Sequence, residues 1–414
     1  MSRRVTIALD FGDGERHLGE IAWIPDRRLA AVEWSGDFSA RPLPLSPYHI
    51  KRIEGVALGP RAPFEGLHGV FADSLPDGWG RRLIDREIAR RGGAISGLTP
   101  VDRLALVGAS GMGALVYRPT DEGWPRNGPI DLDWFANLAD ALGEDTPADD
   151  LRKMREHAGG SAGARPKFVA LLDPKRGLLR DFRRRAEDGF RHHIVKYRSS
   201  EDSPHAAEEE LAYARMARAA GVTMTDATVL ATRDGARFFA AERFDRDGDR
   251  RKHMHTAAGI LHLDFRAPTI DYANLMKLVM FVTRQNDDLE QMARRMMFNA
   301  LAHNRDDHVK NHAFLMGSDG AWRLSPAYDI TFSQGPGGEH ALAIAGEGRR
   351  PKREHLLAAA GEAGLRKQRA AEIFADVEAA VVDWRRHADD AGVPRDRAAA
   401  IADQITIVCS VAIR

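Results

Sequence analysis

His303-Asn304-Arg305-Asp306-Asp307-His308-Val309-Lys310-Asn311, followed across a short hairpin by Ala327-Tyr328-Asp329, is where the architecture of this chain is most legible. An Arg-Asp pair is followed, five residues after the Asp, by an Asn, and later by a second isolated Asp. Phosphoryl transfer of the protein-kinase type uses such groups in this order. One carboxylate orients the attacking hydroxyl and takes its proton, an amide oxygen holds a metal ion, and a second carboxylate joins metal to nucleotide phosphates. On this reading Asp306 is the base, and Asn311 and Asp329 are metal ligands. Because Asp-x-x-x-x-Asn alone is common by chance, the rest of the chain must supply a phosphate loop, a lysine and an inter-lobe strand.

A zinc site is the competing reading of the same residues. His308 and His312 stand four apart, as on one helical face, but the zincin pattern needs a Glu directly after the first His and Val309 occupies that place. A second bland reading has Asp306 and Asn311 merely turning the chain.

Upstream, the helix expected over Ala148 to His157 runs into Gly159-Gly160-Ser161-Ala162-Gly163-Ala164-Arg165-Pro166-Lys167 and then an apolar strand, Phe168 to Leu172. Glycines let backbone amides crowd toward a phosphate. Gly159-x-Ser161-x-Gly163 also fits a nucleophile elbow, which requires strand, turn, helix; here helix precedes and strand follows, so that reading fails. The next strand, His193 to Tyr197, carries Lys196 in an apolar run, where it can reach nucleotide phosphates as a point charge. Ala206 to Ala220 reads as a helix with Glu208, Glu209 and Glu210 in its first turn, which suits the helix dipole and offers one Glu to pair with Lys196. A hairpin, Ala227 to Ala231 and Arg237 to Ala241, leads to Glu242-Arg243-Phe244-Asp245-Arg246, the expected meeting place of adenine and backbone between two lobes. Beyond it the chain reads as mainly helical: Tyr272 to Thr283, Asp288 to His303, and three C-terminal stretches from Glu354 to Ile413. Methionines at helical spacing there are core residues.

Residues 1–118 predict a β-rich unit with one or two helices. Val5 to Leu9, Leu18 to Ile24 and Ala30 to Trp34 are strands, and Asp73 to Gly78 turns into a helix over Trp79 to Arg91. Asp10-Phe11-Gly12 is read as a plain hairpin, and the Gly-rich Val107 to Leu115 as a tight β connection. The Pro/Gly-rich, polar run Pro119 to Pro129 is the best linker candidate.

At 414 residues the chain has room for two or three domains. Lys+Arg and Asp+Glu are both 60, and that balance argues against a protein devoted to nucleic acid, which would carry a basic excess. The basic clusters Arg180 to Arg185 and Arg349 to Arg353 read as solvated loops. One cysteine, Cys409, excludes an intrachain disulfide framework and suits a reducing cytoplasm. The N-terminal apolar run is too short for a signal peptide, and Leu275 to Val282 too short to span a bilayer, so a cytoplasmic protein without membrane contact is expected.

Taken together, Arg41-Pro42-Leu43-Pro44-Leu45-Ser46, Ser74-Leu75-Pro76-Asp77-Gly78, Val107 to Leu115, Ala164 to Lys167, Glu242 to Arg246, Asp306 to Asn311 and Tyr328-Asp329 resemble the HipA family of serine/threonine kinases, the toxins of HipBA-type toxin–antitoxin modules. The resemblance implies an α+β, two-lobed protein-kinase-like fold with an extra β-rich N-terminal subdomain (1–118), a nucleotide-binding N-lobe (119–245) and an all-helical C-lobe (246–414). It implies ATP and Mg²⁺ as cofactors. Nucleotide contacts would come from Ala162, Gly163, Ala164, Arg165, Pro166, Lys167, Lys196, Glu242, Arg243, Phe244, His308, Val309, Lys310, Asn311, Tyr328 and Asp329, with Asp306 as base. In this family a phosphate-loop serine is autophosphorylated. Ser161 is the candidate, although counting back from Lys167 places Gly160 at the usual position. The implied partners are a protein substrate such as an aminoacyl-tRNA synthetase and a small helix-turn-helix antitoxin through which alone DNA is met. The alternatives are a catalytically idle kinase-like scaffold acting through that antitoxin, and a small-molecule kinase.

Overall fold

The structure, a computed structural model, describes residues 4–119, 131–142, 146–158, 165–267 and 270–412. Gly160, Ser161, Ala162, Gly163 and Ala164, and 120–129 of the expected linker, lie outside the described residues.

The N-terminal unit is built on an antiparallel five-stranded sheet. Its strands are β1 (Arg4–Asp10), β2 (Glu15–Ile24), β3 (Leu29–Trp34), β4 (Val56–Leu58) and β5 (Leu115–Arg118), in the order β4-β3-β2-β1-β5. Alternation in β1 sends Val5, Ile7 and Leu9 into one core with Ile21, Val32, Phe71 and Tyr117. Four helices accompany the sheet instead of one or two: α1 (Gly36–Ala40), α2 (Gly69–Ala72), α3 (Gly78–Arg90) and α4 (Pro100–Val107). The longest of the three that the sequence reading did not place, α4, begins at a capping box in which Thr99 accepts from the Asp102 N–H and Asp102 accepts from the Thr99 N–H.

A second antiparallel sheet follows helices α5 (Leu132–Asp140) and α6 (Ala148–Ala158). It comprises β6 (Lys167–Asp173), β7 (Leu178–Asp181), β8 (Arg191–Tyr197), β9 (Ala227–Ala231) and β10 (Arg237–Glu242), ordered β7-β6-β8-β10-β9, with α7 (Ala206–Ala219) between β8 and β9. Arg180 thus lies in a strand rather than a loop, and its cluster is ion-paired: Arg180 with Glu187, Arg183 with Asp181, Arg185 with Asp249. Phe168, Ala170, Leu172, Val195 and Tyr197 share one core against α5 and α6. The period of two then turns Lys167 and Lys196, paired across β6 and β8, to the opposite face.

Past the short hairpin β11 (Arg246–Asp247) and β12 (Arg250–Arg251), the rest is helical around one small sheet. That sheet joins β13 (His253–Thr256), β14 (Ala313–Met316) and β15 (Trp322–Leu324). The helices are α8 (Ala257–Leu261), α9 (Tyr272–Thr283), α10 (Asn286–Leu301), α11 (Arg353–Glu362), α12 (Lys367–Val382), α13 (Trp384–Ala391) and α14 (Arg395–Ala412). Met292, Met296 and Met297 are core residues, and burial pushes the Cys409 thiol up to about 11, so it is no nucleophile at neutral pH. Among the described residues no helix is long and apolar enough to cross a membrane.

The Gly-rich loop after α4 is a docking element. Its carbonyls at Ala109, Gly111 and Gly113 accept from Arg251, Arg243 and Arg246, and its Gly113 N–H donates to Asp245 at 2.7 Å. Burial alone would raise the Asp245 carboxyl, but Arg243 and Arg246 outweigh it and hold it below the usual range. A Cβ at Gly113, whose φ is +79°, would sit 2.8 Å from the Met254 nitrogen, so only glycine allows this approach.

Candidate active site

Lys196 of β8 donates to Glu210 of α7 at 2.6 Å and to Asp329. Glu210 is buried, and its other oxygen takes the Arg165 guanidinium at 3.4 Å, which also binds Asp202 at 2.9 Å. Successive helical residues point about 100° apart, so the three glutamates of α7 part company. Glu208 faces Arg237, Glu209 pairs with Arg397 at 2.8 Å, and Glu210 alone reaches Lys196. Lys167 lies beside Lys196 on the same face, and burial draws its ammonium down to about 8 against the pull of Asp329. Asp329 has φ +56°, a left-handed conformation uncommon outside glycine. Burial would raise its carboxyl, yet Lys196 and Lys167 hold it below the ordinary range, while burial acting on Lys196 is outweighed by Asp329 and Glu210, which raise it.

The motif after α10 separates its two carboxylates. Asp307 is buried and accepts from the Tyr272 hydroxyl at 2.8 Å, the Ala341 N–H at 2.8 Å and the His340 ring at 2.9 Å. Tyr272 is in turn reached by Asn299, which Asn304 contacts at 2.9 Å, so the turn is tied to α9 and α10. With Asp307 fixed inward, Asp306 stands at the surface, its side chain 56% exposed. Desolvation by surrounding protein pushes the Asp306 carboxyl up, His308 at 3.7 Å opposes this, and the Asp329 charge adds to it. The Asn311 amide nitrogen donates to the Asp306 carbonyl at 2.8 Å, leaving its oxygen as the acceptor end. His303 and His312 turn to the carbonyls of Ser333 and Asp307, so the histidines do not converge as a zinc site would require.

The remaining expected contacts divide. Tyr328 bonds the Lys310 carbonyl at 2.6 Å and packs against Phe244, ring centres 5.3 Å apart, so it couples the inter-lobe segment to the motif. Glu242 and Arg243 already use their N–H groups on Asp226 and His192, and the Arg243 side chain turns away into the Asp245 cluster. The Val309 side chain is buried in the C-terminal core, and the Lys310 ammonium pairs with Asp77 at 2.5 Å. Neither Asp77 nor His340 had a local sequence signal as a site residue, because their partners are 233 and 33 residues away.

Residues 159–385 match the model of the HipA-like C-terminal domain, and residues 13–118 that of the HipA N-terminal domain. The chain belongs to the HipA family. The HipA chain of the Shewanella oneidensis toxin–antitoxin complex of HipA, HipB and operator DNA has the same fold. The TM-score is 0.71 at 18% identity, covering 98% of this chain and 96% of that one. The Helicobacter pylori proinflammatory kinase CtkA shares 8% identity over 54% of this chain and 93% of that one, at a TM-score of 0.33, too loose to define the fold. No curated protein matches the chain.

Proposed function

We propose that this HipA-family chain is an ATP-dependent serine/threonine protein kinase of the cytoplasm, acting as the toxin of a toxin–antitoxin pair. The observation that carries the reading is Lys196 bridging Glu210 and Asp329, with Asp306 exposed beside them. A buried lysine held between two carboxylates is a preset cation for phosphates. Asp329 and the Asn311 oxygen are hard oxygen donors, and two such ligands suit a Mg²⁺ that completes its shell with water and phosphate. When bound, ATP supplies the phosphoryl group and Mg²⁺ neutralises its charge. Arg165, Lys167 and Lys196 position the phosphates, and Asp306 orients a substrate hydroxyl and accepts its proton. The raised Asp306 carboxyl makes it a better proton acceptor than an ordinary aspartate.

The S. oneidensis HipA is seen with HipB and operator DNA, which supports a small helix-turn-helix antitoxin as partner here. Equal numbers of acidic and basic residues fit DNA contact through that partner only. The test is phosphoproteomics on a cell lysate incubated with the protein and Mg-ATP, with Asp306→Asn as control. New phosphoserine or phosphothreonine on a protein, absent from the control, is expected. A phosphorylated metabolite would replace this reading with a small-molecule kinase, and no transfer would leave an idle scaffold.

A further inference from the structure

Asp77 is the residue before the first turn of α3, the place where an aspartate ordinarily accepts from the helix N–H groups. Its backbone is extended as an N-cap requires, but its side chain makes no capping bond. The carboxylate instead crosses to the C-terminal half of the molecule and takes the Lys310 ammonium at 2.5 Å, with only 26% and 10% of the two side chains exposed. Lys310 belongs to the short 3-10 turn Val309–Asn311, between the candidate base and the candidate metal ligand. Besides Asp77 it meets the Phe265 ring at 5.2 Å and acts on the buried Asp73 carboxylate, while the cations acting most on Asp329 are Lys196, Lys167 and Arg165.

The segment that carries Asp77 is itself fixed to the same turn. Asp73 accepts from His255 at 2.6 Å and from the N–H and hydroxyl of Thr256 at 2.7 and 2.8 Å, and the next residue, Ala257, donates to the His312 carbonyl at 2.8 Å. Tyr117 of β5 holds Ser74 at 2.8 Å from the other side. A turn this short has little cohesion of its own, so an ion pair shielded from water and built on a braced segment can set its position.

We propose that Asp77 is a positioning residue for the kinase reaction: through Lys310, the N-terminal subdomain holds the Asp306–Asn311 turn in its working geometry. The inference rests on the kinase reading above, and its test separates the two. Amide hydrogen exchange of residues 304–312 is measured without nucleotide in the wild type, Asp77→Asn, Asp77→Glu and Lys310→Met. Phosphotransfer kcat and the ATP Kd are then measured with Mg-ATP.

Asp77→Asn and Lys310→Met should each speed exchange in this segment by about 10-fold. They should lower kcat by about 10-fold with the ATP Kd changed by less than about two-fold. Combining them should add little to either alone, because both break one contact. Asp77→Glu, which keeps the charge, should stay within about two-fold of the wild type in both readouts. Unchanged exchange in Asp77→Asn, or faster exchange with unchanged kcat, overturns the proposal. So do equal losses in Asp77→Glu and Asp77→Asn, which would mark a packing role. Faster exchange in a protein whose wild type transfers no phosphate would leave the Asp77 clamp standing and defeat the kinase reading instead.

Discussion

Glu210 on α7 meets Lys196 on β8 at 2.6 Å, and the same lysine reaches Asp329 from the C-terminal half. One ammonium therefore joins a helix, a strand and the segment after β15. Lys196→Met removes the cation and leaves the buried Glu210 with Arg165 alone. Phosphotransfer should fall by at least about 10²-fold, the scale of losing a preorganised charge. Rates with Mg-ATP, measured beside Tm, check this.

Asp306 and Asp307 are adjacent in sequence and opposite in role. Asp306→Asn should abolish transfer while leaving Tm unchanged, since that side chain is exposed. Asp307→Ala strips the acceptor from Tyr272, His340 and the Ala341 N–H. It should destabilise the protein by about 3 kcal/mol, the cost of orphaning buried donors. Urea denaturation of the two variants side by side separates chemistry from folding; equal stability losses would contradict the assignment.

Acid should weaken the fold through buried histidines. Burial draws His253 down to about 3, with His255 lowering it further and Asp73 opposing, and draws His192 to about 3, with Arg243 and Arg246 adding to the effect. Both are depressed below the unfolded value near 6.5, so their contribution is complete above that pH. It is lost as pH falls from there toward the folded values, at up to about 1.4 kcal/mol per pH unit for each group. The urea midpoint should drop between pH 7.5 and 5.5, and His253→Asn should flatten that slope whatever it does to stability at pH 7.5.

Gly69 of α2 and Gly259 of α8 cross in contact, and a Cβ on Gly69 would lie 2.0 Å from the Gly259 carbonyl oxygen. Backbone cannot yield as a flexible side chain does. Gly69→Ala should cost about 1–3 kcal/mol and loosen the N-terminal unit from the rest. A lower Tm with faster limited proteolysis near the crossing would be the result; an unchanged Tm would mean the crossing relaxes freely.

Much of the site was legible because it depends on local pattern. The apolar alternation around Lys196 placed it on a strand, and helical spacing placed Met292, Met296 and Met297 in a core. The capping box at Thr99 was equally local but carries no long-range signal, and the strand His253–Thr256 was not legible, because its two histidines look exposed although His253 and His255 are buried. Pairing with β14 made that strand, and the partner lies about sixty residues further on.

By itself the sequence determined the order of the parts: Gly-rich segment, strand lysine, inter-lobe strand, Asp-x-x-x-x-Asn and the later Asp. Periodicity and chain order are properties of neighbours, and neighbours suffice to read them. Only the tertiary structure decided that Glu210 and not Glu208 or Glu209 meets Lys196, that Asp307 turns inward so that Asp306 can stand at the surface, and that Lys310 answers to Asp77. Each of those choices is a competition among like residues, resolved by which charge finds a desolvated partner across the fold.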